Sequence, residues 1–124
     1  MDNNKLELIY GFDETEKEKI NIIAKENHLP FIKVVKKSMG KMRICEMITG
    51  NFFEVYNCKL PSVKVVLFNN FSDDELDMSI KLIRKNFKDM PILAVVTETS
   101  INWTFEKLIN HLIEERKWAR LHNR

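Results

Sequence analysis

Glycine is scarce in this chain, with three residues among 124, and this scarcity excludes the common nucleotide-binding loops. Gly11, Gly40 and Gly50 stand too far apart to form the Gly-rich fingerprint that cradles a dinucleotide. Cysteine is equally rare. Because Cys45 and Cys58 do not form a Cys-x-x-Cys pair, we expect two reduced thiols and no disulfide framework.

Long apolar runs and metal-ligand clusters are also missing. No stretch approaches the roughly 20 apolar residues that cross a bilayer, and the start MDNNK lacks the basic and apolar regions of a signal peptide. We therefore expect a cytoplasmic protein without membrane contact. His28, His111 and His122 lie far apart, with no Cys or His at metal spacing. The sequence thus predicts no metal, no cofactor and no catalytic residue.

The second half of the chain repeats the first. Residues 6–12 (LELIYGF) correspond to residues 65–71 (VVLFNNF), 59 positions later, and both lead into an acidic helix start. After a two-residue insertion in the second copy, residues 30–35 correspond to 91–96. One such unit is too small to bury its own apolar face, so two copies are expected to pack together.

Each copy predicts a β-α-β-α unit. Asp13 with Glu16, and Ser72 with Glu75, have the spacing of a helix capping box. Proline then precedes a second strand in each copy. We expect these second strands to be covered on both faces, since they are almost entirely apolar. The predicted strands are 6–12, 31–35, 63–68 and 92–96, and the later helices are about 41–49 and 103–121.

The predicted fold class is α/β, with two tandem β-α-β-α repeats forming one four-stranded, largely parallel or mixed sheet covered by helices. The repeats span about 5–49 and 63–121 of a single domain, 1–124. Strands within a unit should be parallel, and a pseudo-twofold gives the order 2-1-3-4, with a fully parallel sheet as an alternative. We expect the connector 50–62 to be ordered, because it contains apolar residues that look buried, namely Phe52, Phe53, Val55 and Tyr56.

The stretch from residue 63 to about 118 resembles the uncharacterised domain of unknown function family 3783. The resemblance rests on VVLFNNFSDDEL (65–76), PILAVVT (91–97) and NWTF (102–105), which leads to Leu108, Leu112 and Glu114-Glu115. It implies a bacterial cytoplasmic domain and brings no established activity or site residue.

Polar side chains gather after the third and fourth strands, where ligands of α/β sheets commonly bind. Beside two helix starts, they could hold an anion or a polar metabolite. The alternative is that Ser72 and Asn102 cap helices, the threonines satisfy turns, and Trp103 anchors the core. The candidate ligand set is Asn70, Ser72, Thr97, Thr99, Asn102 and Trp103.

Two basic segments offer further candidates. No acidic residue lies between Asn27 and Glu46, so this stretch could bind a small anion through point charges and loop amides, or form a solvated face. Its candidate residues are Lys36, Lys37, Lys41 and Arg43. The C-terminal stretch 116–124 is basic around Trp118 and could stack on single-stranded nucleic acid. We favour the simpler interpretation, in which its cations complement the helix dipole and Trp118 covers the core.

These observations favour a non-catalytic binding or regulatory module that acts through protein–protein contacts or self-association. Exposed edge strands of the predicted sheet would invite such pairing. A small-molecule or anion-binding domain is the alternative. Weak nucleic-acid binding through residues 33–43 and the C-terminus is a second alternative, disfavoured by the net charge of +2.

Overall fold

The computed structural model describes residues 4–50, 53–54 and 59–122. Within these residues the chain makes two successive β-α-β-α runs, as the sequence predicts. Short 3₁₀ turns, Lys37–Met39 and Ser100–Asn102, lie ahead of the second and fourth helices. The elements are β1 (Leu6–Tyr10), α1 (Glu14–Glu26), β2 (Phe31–Val35), α2 (Ile44–Thr49), β3 (Val65–Asn69), α3 (Asp73–Asn86), β4 (Ile92–Val95) and α4 (Phe105–His122).

The four strands form one mixed sheet in the order β2-β1-β3-β4, which confirms the predicted order. β1 pairs with β2 and β3 with β4 in parallel, whereas β1 and β3 are antiparallel, so the fully parallel alternative is wrong. At the centre of the antiparallel pair Leu8 lies opposite Leu67. These positions are also equivalent at the 59-residue offset. The register therefore agrees with a pseudo-twofold layout of tandem repeats.

The helices α1 and α3 both start at capping boxes that the sequence predicts. The Asp13 carboxylate accepts the Glu16 N–H at 2.8 Å, and Glu16 Oε1 accepts the Asp13 N–H at 2.9 Å. Ser72 and Glu75 repeat this exchange at 3.1 and 2.8 Å. Each pair satisfies amide groups that the first helical turn leaves without partners.

The chain forms two compact units. The sheet unit holds the chain up to Val35 together with Ser62–Val96, and the helical unit holds Lys36–Pro61 together with the chain from Thr97 onward. In the sheet unit α1 and α3 contribute to an apolar core that includes one residue of β1 and two alternate residues of β3. This core contains Ile9, Phe12, Ile20, Val66, Phe68, Ile83 and Phe87.

The expectation that β2 and β4 are covered on both faces is wrong. Both are edge strands, and Phe31, Val34 and Val95 are exposed. All five residues of β1 and of β3, the two central strands, are buried instead. An apolar run signals a strand, but it does not reveal the strand's place in the sheet.

The helical unit has its own local two-fold arrangement. Arg43 and Thr104 form an antiparallel bridge. On either side, the Ile44 N–H donates to the Trp103 carbonyl at 2.9 Å and the Phe105 N–H donates to the Met42 carbonyl at 2.8 Å. The buried hydrophobic side chains described in this unit are Met39, Met42, Ile44, Met47, Leu60, Phe105, Leu108 and Ile109.

The connector is described only at Gly50, 53–54 and 59–62. Gly50 ends α2 in the left-handed region, with φ of 87°. Phe53 is exposed, so its expected burial is wrong. Phe52, Val55 and Tyr56 lie outside the described residues, and the single-domain organisation with an ordered connector stays a prediction.

Candidate functional site

The edge strand β2 exposes apolar side chains. Within the described residues no further strand pairs with its outer side. Phe31 is 83% exposed and Val34 39% exposed. Alternation along the strand places Phe31 and Lys33 on one face and Val34 on the other. An edge of this kind is a template for an added strand.

An open depression of about 390 Å³ lies at the start of β2. Phe31 and His28 contribute to its walls together with an ion pair, in which Lys5 Nζ lies 3.0 and 3.2 Å from the Glu75 carboxylate oxygens. The hydrogen bond from the Ser72 N–H, helped by Lys5, holds the pKa of Glu75 below its usual range. The depression thus combines an exposed aromatic ring with fixed charges of both signs.

A second site lies inside the sheet unit. Glu7, at the second position of β1, is 3% exposed. Burial raises the pKa of Glu7 to about 7, and neither a hydrogen bond nor a nearby charge contributes to the rise. The Ser79 hydroxyl on α3 is buried and has no hydrogen-bond partner. Both side chains line a cavity of about 10 Å³, in which the other lining residues are apolar.

The predicted polar ligand set is divided between the two units. Asn70 and Ser72 belong to the sheet unit, and Thr97, Thr99, Asn102 and Trp103 belong to the helical unit. Asn70 follows β3 with φ of 61°, in the left-handed region that Asn tolerates. Ser72 caps α3. The cap thus accounts for the Ser72 side chain, and Asn70 has a local role through its backbone conformation.

The Thr97–Asn102 segment is tied together by its own hydrogen bonds. Thr97 N–H donates to Ser100 Oγ at 2.9 Å, and Ser100 N–H donates to Thr97 Oγ1 at 3.0 Å. Thr99 and Asn102 are exposed, and the Asn102 N–H lies 3.4 Å from the Thr99 carbonyl. Ser100 is the buried member of this segment. Thr97 thus closes a turn, as the structural alternative expects. The expectation that Asn102 caps a helix is wrong, because α4 begins at Phe105 and its first-turn amide, the Lys107 N–H, donates to Thr104 Oγ1 at 3.2 Å.

Trp103 is half-buried, and its ring contacts two side chains of α4. Lys107 Nζ lies 4.5 Å from the ring centroid. His111 meets the ring edge-to-face at 5.2 Å between centroids. The Trp103 carbonyl also accepts the Ile44 N–H. Both ring contacts are with exposed side chains of α4, and the core-anchoring role stays a prediction.

The basic candidates Lys36, Lys37, Lys41 and Arg43 lie in the helical unit, and all four are exposed. Lys41 Nζ pairs with Glu106 Oε1 at 2.8 Å. In the described part of the chain, no ion pair involves Lys36, Lys37 or Arg43. The structure thus leaves three cations without a carboxylate partner among these residues.

Trp118 does not cover the core. It is 62% exposed near the end of α4, and Leu121 is 68% exposed. The indole stacks on His122 with centroids 4.1 Å apart. The buried residues of α4 are confined to its first turns, at Phe105, Leu108 and Ile109, so the helix continues past its buried portion.

Sequence reasoning missed the residues that carry the two sites. Glu7 is the single charged residue in the apolar run LELIY, and that interruption is the available signal. Phe31 gave no such signal, because in a sequence an exposed apolar residue of a strand looks the same as a buried one.

In the ranges 4–50, 53–54 and 59–122 no cluster of three or more His, Cys, Asp or Glu could hold a metal. Nor, in these ranges, is any helix long and apolar enough to cross a membrane.

The mixed sheet flanked by α1 and α3, together with the separate helical unit, defines a mixed α/β protein. Residues 64–119 match the model of the family described as domain of unknown function (DUF3783). This match confirms the resemblance of the second half, while the diverged copy in the first half stays a prediction. No curated protein and no solved structure matches the chain.

Proposed function

We propose that this protein is a non-catalytic binding module that takes up an extended segment of a partner protein by strand addition at β2. The observation that carries the proposal is the 83% exposure of Phe31 on a strand whose outer side has no partner strand among the described residues. The family resemblance supports a bacterial, cytoplasmic setting for the module.

Strand addition would use both the backbone groups of β2 and its exposed side chains. Backbone groups of β2 would pair with those of the partner, and alternate side chains would set specificity. Full burial of a Phe side chain contributes about 1.5–3 kcal/mol. Phe31 therefore supplies the largest apolar contribution that this edge offers.

Like charges directly opposite each other destabilise a pair of strands. Antiparallel pairing of β2 with the β2 of a second copy, centred on Lys33, would place two lysines opposite each other. We therefore infer that the added strand comes from a different protein, with an apolar residue beside Phe31.

The test is selection from a random peptide library displayed on phage against the whole protein. We expect enriched peptides to carry apolar residues at alternate positions. Calorimetric titration of a selected synthetic peptide should show at least about tenfold weaker binding to Phe31→Asp, since a buried aromatic anchor typically contributes more than 1 kcal/mol.

Val95→Thr on the opposite edge strand is the matched control, because Val95 is 50% exposed, and it should bind as the wild type does. Amide chemical shifts of residues 31–35 should change on titration. Equal peptide affinity for wild type and Phe31→Asp, or shift changes confined to other residues, would overturn the proposal.

The exposure of Trp118 favours single-stranded nucleic acid as a second candidate ligand. Arg116, Lys117 and Arg120 surround Trp118 in the sequence, and α4 carries no acidic residue after Glu115. Stacking of a base on an exposed aromatic ring contributes about 1–3 kcal/mol. Binding of an oligothymidylate should weaken steeply with salt and be lost in Trp118→Ala. An affinity that does not change with salt would exclude this function.

A further inference from the structure

Two polar side chains, Glu7 and Ser79, lie in the apolar interior of the sheet unit. Glu7 is 3% exposed and Ser79 is 2% exposed. The Ser79 hydroxyl has no hydrogen-bond partner. A buried polar group without a partner is costly, and proteins normally satisfy such groups with another side chain or with ordered water.

A cavity joins these two groups. It is lined by Glu7 from β1, by α1, by Leu29 and by Ser79 and Ile83 from α3. Its volume of about 10 Å³ is close to the minimum that holds one water molecule. An empty cavity is expected to be apolar, whereas this one presents a carboxyl group and a hydroxyl group.

We propose that the cavity is a water and proton site, in which one water molecule bridges the Glu7 carboxyl group and the Ser79 hydroxyl group, and that loss of the Glu7 proton loosens the packing of α1 and α3 on the sheet. The site acts independently of strand addition at β2. Its ligands are a single water molecule and a proton, because the volume admits nothing larger.

The surroundings of Glu7 are apolar, so they favour the protonated form of its carboxyl group. Its neighbours across the sheet are Ile32 on β2 and Phe68 on β3. Ile20, Ile23 and Ala24 face the cavity from α1, Ile83 from α3, and Leu29 completes the wall. None of these neighbours is charged or titratable, and none offers a side-chain hydrogen bond.

The ionised form of Glu7 requires more solvent than the cavity holds. A carboxylate in apolar surroundings without a counter-charge is strongly disfavoured. The burial that raises the pKa of Glu7 to about 7 places this change near neutral pH. Above that pH the folded protein either retains an uncompensated charge or opens the helical layer to water.

Hydrogen exchange of the whole protein at pH 6 and pH 8 tests whether loss of the Glu7 proton loosens the packing of α1 and α3. After correction for the intrinsic pH dependence of exchange, the opening equilibrium of protected amides in α1 and α3 should rise roughly tenfold between these pH values. Glu7→Gln should abolish the rise. Glu115→Gln, which removes an exposed carboxylate on α4, is the matched control and should retain it.

The water part is tested by nuclear Overhauser transfer from water to the amides around Glu7 and Ser79 at pH 6. We expect a long-lived water signal in the wild type and its loss in Ser79→Ala. Absence of the signal in the wild type would overturn the bridging water.

In the hydrogen-exchange experiment, equal protection of α1 and α3 at both pH values, or a rise in opening that persists in Glu7→Gln, would overturn the proposed effect of the Glu7 proton. The wild-type pH comparison needs no variant, so it decides the matter even if Glu7→Gln fails to fold.

Discussion

Replacing Glu7 by Gln should make the protein more stable at alkaline pH and leave its stability almost unchanged in acid. The amide has nearly the shape of the protonated carboxyl group but cannot ionise. Because the pKa of Glu7 in the folded protein is about 7, above its ordinary value of 4.5, the folded state binds this proton more tightly than the unfolded state does. Glu7→Gln has no proton to lose at this position, so it removes the difference in proton binding between the folded and unfolded states.

The sign and size of the effect follow from linkage. The stability contribution of a raised pKa is fully present below pH 4.5 and is lost as pH rises through about 7. Each pKa unit corresponds to about 1.4 kcal/mol. Burial of Glu7 therefore lowers the free energy of unfolding of the wild type by about 3 kcal/mol above pH 7, relative to the variant.

Urea denaturation followed by circular dichroism, at several values between pH 4.5 and pH 9, measures this difference. The stability of Glu7→Gln minus that of wild type should grow from near zero to about 3 kcal/mol and then level off above pH 8. Other titrating groups cancel in the subtraction. A difference that stays constant across the range would refute the reasoning, because it would mean that Glu7 ionises in the folded protein as it does in the unfolded chain.

Three further substitutions test the fold and the remaining candidate site. Gly11→Ala should lower the free energy of unfolding by at least about 2 kcal/mol in urea denaturation, because φ is +90° and the new Cβ would clash with the Val63 carbonyl oxygen. A change below about 0.5 kcal/mol would contradict this. Ser72→Ala should cost about 1 kcal/mol through loss of the α3 cap, with Ser72→Asp expected to retain stability. The double variant Lys36→Glu, Lys37→Glu should keep wild-type stability within about 0.5 kcal/mol. If the basic segment binds pyrophosphate, this variant should abolish the binding, and unchanged binding would exclude the segment.

Local signals account for the parts of the fold that the sequence predicts correctly. The capping boxes at Asp13 and Ser72 mark the helix starts because a short side chain and a Glu three residues later satisfy each other's amides. Pro30 and Pro91 separate helix from strand in both halves. The matching order of these signals predicts two β-α-β-α runs, and pairing of their first strands then yields the observed sheet order.

Properties that depend on tertiary position were not predictable. Phe31 and Leu67 are both apolar strand residues, yet Phe31 is exposed on an edge and Leu67 is buried at the centre. The burial of Ser79 follows from the face of α3 that meets the sheet, and a lone Ser in an amphipathic helix does not reveal it. Trp118 appeared to belong to the core because the apolar pattern of α4 continues, while the buried part of the helix ends earlier.

The match to residues 64–119 has a consequence for proteins that contain only one such segment. This segment supplies β3, α3 and β4, which is half of the sheet, and most of α4. In this protein the inner edge of β3 is completed by β1 from the same chain. A solitary copy would lack that neighbour, and its bare strand would be self-complementary across the Leu67 position. We expect a protein with one such segment to pair through this strand with a second copy of itself.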